Sequence, residues 1–380
     1  MTSTSLLNAT LGERVKAYLD SPQFADIPPH ALTEYWQYHH AQAAISVEDG
    51  SLSARGNSGF YAPSLTPPRP ASTWRVRLRN FARDPLGYPR IIARELARRV
   101  QRRFDVEQRF AEQFPFRLAN VDYATAFDAV MSHRPEADVD ISRFRLDFRK
   151  IARVPGCQAT AAAVAADYRE LTGVRPHDQI YRAYYLASIL TYVEAFAGDF
   201  CFIEIGAGSG NLAHLMLRHA KRTSYIVDLP RTLCGAVAYL SGVMPTLRML
   251  LPNEAVSVPH RDVDLVFVTP AQLDLVPDRA VTLAVNAASF QEMTPVQVGD
   301  YFALVDRAVR TGGLFACYNR VEKIPGDDTI TAKESGAEVM RFAEYPWRTG
   351  RETLVHEVCR FARLTQRDNS MLRIERLPLA

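Results

Sequence analysis

Lysine is scarce in this chain: of its 45 basic residues, 40 are arginine and 5 are lysine. A nucleic-acid-binding surface ordinarily mixes the two, so the bias reads as genome composition, and a formal net charge of +3 gives no reason to expect a nucleic-acid partner. Long hydrophobic runs are also missing, and nothing approaches the roughly 18 uncharged residues of a membrane span. The opening MTSTSLLNATLGERVK has no basic region followed by an apolar block. No secretory signal is therefore expected, and the expected location is the cytoplasm. Cysteine is sparse too. Cys157, Cys201, Cys234, Cys317 and Cys359 are odd in number, scattered and never spaced as CxxC, which excludes a readable zinc framework and fits reduced thiols. No internal repeat is present.

What remains is ordinary for a globular protein: 380 residues, 47% hydrophobic and 23% charged, enough for about two domains. The stretch from Gly50 to Thr73 is dense in Gly, Ser and Pro and reads as a loop. Residues 74–103 follow with ten Arg against Asp84 and Glu95. Ile92, Leu96 and Val100 recur there every four residues, which predicts an amphipathic helix with a basic outer face. That face is either simply solvated or docks an anionic substrate or a membrane. The helical texture continues to about residue 175, where an Ala-rich segment from Ala159 to Leu171 stops at Gly173 and Pro176.

From His177 the pattern changes. A helix bearing Tyr181, Tyr184, Tyr185 and Tyr192 leads into short β-rich runs at Cys201–Gly206, Ser224–Leu229, Leu265–Thr269, Val281–Ala287 and Leu314–Asn319. Strands alternating with helical segments predict βαβ units and a parallel sheet covered on both faces. One connecting helix is well signed, with Thr294 as cap, Pro295 at its first position, Gln297 three after the cap and Gly312-Gly313 as its stop. Thr353–Phe361 and Met371–Leu377 read as a final strand pair. The expected organisation is a mainly helical region over 1–175, serving as substrate cap or homo-oligomer contact, and an open α/β domain over 176–380. Its ligand crevice belongs at the carboxyl ends of the strands.

The most informative segment is Phe202-Ile-Glu-Ile-Gly-Ala-Gly-Ser-Gly-Asn-Leu-Ala213. A buried strand runs into Gly206, Gly208 and Gly210 and then straight into a helix. Glycines suit a sharp turn that a ligand must approach without a Cβ in the way, and the amides at the helix start can face polar ligand atoms. A dinucleotide fingerprint, GxGxxG, would need its third glycine where Asn211 stands. The pattern is instead GxGxG with Glu204 two residues ahead, and Asp228 follows 18 residues after Gly210 at the end of the next strand. A carboxylate there can accept from both hydroxyls of a ribose.

In this form the segment looks like motif I of the class I S-adenosylmethionine-dependent methyltransferases. Further strings narrow the likeness: Asp228-Leu-Pro230, Phe267-Val-Thr-Pro-Ala-Gln272, Asn286, Ser289-Phe-Gln-Glu-Met293, Tyr318-Asn-Arg320 and Tyr345-Pro-Trp347. Together, over about residues 175–380, they resemble the sugar O-methyltransferase family of bacteria. The resemblance implies a Rossmann-like, mostly parallel sheet ending in an antiparallel strand pair. It implies that S-adenosyl-L-methionine is held at its methionine end by Glu204, Gly206, Ala207, Gly208 and Gly210. It puts the ribose on Asp228 beside Leu229, the adenine near Thr269 and Gln272, Asn286 among the cofactor-binding residues, and the loop from Ser289 to Met293 beside the transferring methyl.

Transfer of a methyl group to a sugar hydroxyl requires an aligned oxygen and removal of its proton, and a positioned base is worth roughly 10²- to 10⁴-fold. Glu292 is the first candidate base, weighed against pairing with an Arg or capping the Thr294 helix. His356 is the second, weighed against a packing role in the terminal strand. Gln291, Asn319 and Arg320 are candidates to bind substrate hydroxyls or a phosphate, and Tyr345 and Trp347 to stack on a sugar ring or to plug a core edge. Asp262/Asp264, Asp327/Asp328 and His39-His40 lack diagnostic metal-ligand spacing, so no metal is expected. The expected reaction is O-methylation of a sugar or glycosylated small molecule, with selectivity assigned to the amino-terminal region, the 320–352 loop, or both. Three alternatives stay open: a nitrogen or carbon acceptor on a natural product or peptide, a nicotinamide oxidoreductase, and a non-catalytic adenosyl-binding protein.

Overall fold

A computed structural model of the chain describes residues 9–28, 44–48, 51–55, 193–320, 340–359 and 370–378, with isolated positions at 31, 117–118, 139–140, 183, 186–187 and 189–191. The Arg-rich stretch 74–103, the Ala159–Leu171 helix, His39-His40, the four tyrosines from Tyr181 to Tyr192, Asp327/Asp328 and Cys157 lie outside these residues. Contacts divide the chain into two units. One comprises 1–66, 147–355 and 371–380; the other comprises 67–146 and 356–370. In the second unit the described residues include β3 (Arg117–Leu118), paired antiparallel with β4 (Val139–Asp140).

The sheet is built on strands whose side chains are buried on both faces. β5 (Phe202–Ile205), β6 (Ser224–Val227) and β8 (Leu265–Val268) are buried at every position, the mark of parallel strands covered by helices. β5 pairs in parallel with β6 on one side and with β9 (Val281–Ala287) on the other. β8 adds beyond β6, then β7 (Met249–Leu250), and β10 (Val309–Arg320) adds beyond β9. With β11 (Glu352–Cys359) and β12 (Ser370–Arg376) the order is β11-β12-β10-β9-β5-β6-β8-β7, a mostly parallel mixed sheet with a terminal antiparallel pair, as the sequence implies. The chain leaves β5 toward β6 but returns later to β5's other edge as β9. The crevice of an open sheet belongs at that reversal.

The helix starts follow local sequence. α3 (Asn211–Leu217) starts directly after Gly210, and α4 (Pro230–Val243) starts with a proline whose missing N–H costs nothing at that position. α6 (Pro295–Ala308) opens with the expected capping box: Thr294 Oγ1 accepts from Gln297 N at 3.3 Å, and Gln297 Oε1 accepts from Thr294 N at 2.8 Å. Its end differs from expectation. The helix stops at Ala308 and β10 begins at Val309, so Gly312-Gly313 sits inside the strand, at a register shift between Val309 and Leu314. A Cβ on Gly313 would come within 2.8 Å of the backbone oxygens of Arg310 and Thr282. These glycines serve a bulge rather than a helix stop.

The amino-terminal segment also departs from the expected loop. β1 (Ala44–Glu48) and β2 (Ser51–Arg55) form an antiparallel hairpin, so the start of the Gly50–Thr73 stretch is strand. Ahead of it, α1 (Leu11–Leu19), capped by Thr10 and Glu13, and α2 (Pro22–Ala25) lie against the sheet domain. Arg14 makes a two-pronged ion pair with Glu254 in α5 (Pro252–Ala255), Nε to Oε1 at 2.7 Å and Nη2 to Oε2 at 2.6 Å, and Nη2 also donates to Met249 O at 2.6 Å. Both side chains are almost fully buried, so the pair is screened little by water. Among the described residues, no helix is long and apolar enough to cross a membrane.

Candidate active site

At the sheet's reversal point the loop after β5 turns through three glycines at positive φ: +73° at Gly206, +56° at Gly208 and +79° at Gly210. Gly206 is doubly constrained, because a Cβ there would fall 2.1 Å from Ser289 Oγ. The loop is tied to the next strand by Asp228. Its Oδ2 accepts from Gly208 N at 2.8 Å and its Oδ1 from Leu229 N at 2.7 Å. The glycine loop and the acid after β6 are therefore one hydrogen-bonded unit.

Beneath the loop stands Glu204, the penultimate residue of β5, 3% exposed. Among the described residues, its Oε2 has no hydrogen-bond partner. Burial, and then the neighbouring Asp228, push its pKa well above the usual carboxylate range. Asp228 is pushed up to about 6, since burial outweighs the hydrogen bonds from Gly208, Leu229 and Thr232. A second atom without a partner among the described residues is Asn211 Oδ1; the Asn211 amide nitrogen donates to Ser209 Oγ at 2.7 Å. Two buried acids and two unpaired acceptor oxygens at one turn call for a ligand that is cationic and rich in donors.

These residues line a cavity of 220 Å³. Of the residues expected at the site, Glu204, Gly206, Ala207, Gly208, Asp228, Leu229, Gln291, Glu292 and Arg320 line it, and Gly210 closes the turn at its edge. Gln291 and Glu292 lie in a 3-10 turn after β9 (Phe290–Glu292). The Gln291 side chain is oriented by Arg320 N, which donates to its Oε1 at 2.8 Å. This brings the loop after β9 and the end of β10 to one wall.

Other expected residues are placed elsewhere. Thr269 and Gln272 cap a 3-10 turn (Pro270–Leu275) against each other, with Gln272 Nε2 on Pro252 O at 2.9 Å, and neither lines the cavity. Asn286 is fully buried. Its amide nitrogen donates to Ile205 O at 2.9 Å and to Ser289 Oγ, and its oxygen accepts from Asn319 Nδ2 at 2.7 Å and Phe290 N at 3.4 Å. Both asparagines thus tie β5, β9 and β10 together behind the crevice. Tyr345 and Trp347 pack with Phe290, Phe302, Phe315 and Phe342, and Arg373 lies 4.3 Å over the Trp347 ring. Here the aromatic pair fills core beside α6 rather than facing the cavity. His356 is buried in β11 and is not among the lining residues. Asp264 holds Arg248 at 2.7 Å.

Several lining residues carried no signal in the sequence reading. Ala31 reaches the cavity from the amino-terminal segment, Ala183 from the segment ahead of β5, Gln297 and Tyr301 from α6, and Ala288 from the corner after β9. Ala288 has φ +62°, an unusual conformation for a residue with a Cβ, and its N–H donates to Tyr318 O at 2.6 Å. The capping pattern of α6 was legible. That Gln297 and Tyr301 turn toward the crevice depends on how α6 packs on the sheet.

No family model and no curated protein matches the chain. Among solved structures, it is similar to an S-adenosylmethionine-dependent methyltransferase from Mesorhizobium loti, with 17% identity over 51% of this chain and 97% of that one, TM-score 0.34. It is also similar to a SAM-dependent methyltransferase from Methanosarcina mazei, with 14% identity over 50% and 98%, TM-score 0.33. A third similar structure is the [4+2]-cyclase SpnF, with 13% identity over 51% of this chain and 80% of that one, TM-score 0.33.

Proposed function

We propose that the crevice binds S-adenosylmethionine and that the protein is a methyltransferase acting on a hydroxyl of a sugar or glycosylated small molecule. The observation that carries this reading is the Glu204–Asp228 pair. Two buried carboxylates flank one glycine turn, and an oxygen of Glu204 is left without a partner among the described residues. An α-ammonium group fits the orphaned Glu204 oxygen, and vicinal ribose hydroxyls fit the acceptor lone pairs of Asp228. The turn through Gly206, Gly208 and Gly210 lines the crevice with backbone that the methionine end can approach. The bound donor supplies a sulfonium-activated methyl group.

The chain's own task is then alignment and proton removal. Gln291, fixed by Arg320 N, and Glu292 stand on the wall after β9, beside Ala288 and Ser289. Glu292 is the residue we assign as general base, and Gln291 and Arg320 orient the acceptor. The polar wall of Gln291, Glu292, Gln297, Tyr301, Tyr318 and Arg320 suits a polyhydroxylated acceptor better than an apolar one. We assign no role to a metal.

Calorimetric titration with S-adenosylmethionine and S-adenosylhomocysteine tests the reading. One-to-one binding, weakened at least tenfold in Glu204→Gln, is expected. Absence of heat with either compound would remove the proposal, and a labelled-methyl screen that yields only N-methyl products would remove the sugar acceptor.

A further inference from the structure

A second recess lies at the other end of the parallel strands. Its walls come from the segments that precede β6, β7 and β8, whereas the glycine turn follows β5, so the two cavities open at opposite ends of the sheet. The recess measures 290 Å³ and is lined by Lys221, Arg222, Arg248 and Arg261, with Asp264 as its single acid. Asp264 is committed to Arg248: its oxygens accept from Arg248 N at 2.9 Å, Nε at 3.3 Å and Nη2 at 2.7 Å. Arg261 has Asp262 at 3.9 Å, a loose pair on an exposed side chain. Among the described residues, no carboxylate lies within ion-pair distance of Lys221 or Arg222.

The scaffold under these cations is fixed rather than loose. Lys221 N donates to Phe200 O at 2.8 Å, and Thr223 Oγ1 lies 2.9 Å from His260 O and 2.8 Å from Val263 O, tying the loop that carries Lys221 and Arg222 to the one that carries Arg261. The adjoining His219 imidazole has its pKa lowered by burial, then by Lys221 and Arg218, so positive charge at this end is felt by its neighbours. Leu217, Met244, Leu247 and Val263 give the recess an apolar floor.

We propose that this recess binds a phosphorylated small molecule, its phosphate or diphosphate held by Lys221, Arg222, Arg248 and Arg261 and its body resting on Met244 and Leu247. The Arg248 donors not taken by Asp264 supply directional hydrogen bonds, and Lys221 and Arg222, which have no carboxylate partner among the described residues, supply charge. A small recess lined mainly by polar and cationic groups suits a compact anion, whereas a nucleic acid would need an extended basic stripe.

Calorimetry of the full chain with inorganic pyrophosphate and with uridine diphosphate tests this. Both should bind one-to-one, with affinity falling as salt rises. Lys221→Gln with Arg222→Gln should weaken both at least tenfold, and Arg248→Gln, which leaves Lys221, Arg222 and Arg261 in place, should weaken them as well. Uridine diphosphate should bind more tightly than pyrophosphate, and equal affinities would overturn the role given to Met244 and Leu247. No heat with either anion at millimolar concentration would overturn the site, as would binding that the double variant leaves unchanged. S-adenosylmethionine binding should be the same in wild type and the double variant, so failure here is distinguishable from failure at the crevice.

Discussion

Replacing Asp228 by Asn separates two effects that the structure holds together. In the ligand-free protein the Asp228 pKa stands at about 6 against an ordinary 3.8, chiefly because of burial. Since the folded value is the higher one, the folded protein holds this proton longer than the unfolded chain does. The contribution is full below pH 3.8 and is lost as pH rises through 6. The whole shift corresponds to about 3 kcal/mol, with about 1.4 kcal/mol of that disappearing between pH 5 and pH 7.5. Asn cannot ionise, so its variant lacks this loss. It carries instead a pH-independent penalty of about 1–3 kcal/mol, because one of the two N–H donors now facing Asp228, Gly208 or Leu229, meets an NH₂ group. Urea unfolding of both ligand-free proteins at pH 5, 6 and 7.5 should show the gap between them narrowing by about 1.4 kcal/mol toward high pH. A gap that stays constant would refute the claim that burial, rather than hydrogen bonding, sets the state of this acid.

Gly206→Ala places a Cβ against Ser289 Oγ at a φ of +73°; it should lose S-adenosylmethionine binding by calorimetry and lower the melting temperature in the same sample. Tyr345→Phe removes a buried hydroxyl that has no hydrogen-bond partner among the described residues. Stability by urea unfolding should hold or rise by up to about 1 kcal/mol, with turnover unchanged, and a large drop in turnover would return this residue to the substrate. Glu292→Gln should cut methyl transfer in a labelled-donor assay by roughly 10²- to 10⁴-fold while donor affinity holds; equal loss of both would make Glu292 a binding residue.

The parts of the crevice legible in the sequence are those where residue type is dictated by backbone conformation or by a neighbour close in sequence. The glycines at 206, 208 and 210 announce positive φ, and the strand–helix–strand spacing puts Asp228 opposite Gly208. Elsewhere one signature had two meanings. Thr269-Pro-Ala-Gln272 and Thr294-Pro-Val-Gln297 are the same T-P-x-Q capping pattern, and the structure shows both as caps, yet only the second reads so before the fold is known. Gly312-Gly313 follows a helix in sequence but is required by a bulge, because Thr282 O on the neighbouring strand comes within 2.8 Å of where a Cβ would stand. Ala31, Ala183 and Tyr301 join the crevice through packing between distant segments, and no local pattern encodes such an encounter. The aromatic surroundings of Tyr345 and Trp347 are of the same kind, since their partners come from Phe290, Phe302, Phe315 and Phe342.

The Arg14–Glu254 pair joins positions 240 residues apart with both charges out of water. In the full chain, Arg14→Ala would leave the buried Glu254 carboxylate against Leu251 N without its counter-ion, a defect worth about 3–5 kcal/mol. The leading helix therefore behaves as a fastener for the carboxyl half, and a truncation series should turn insoluble on crossing residue 14 rather than at the composition change near residue 175.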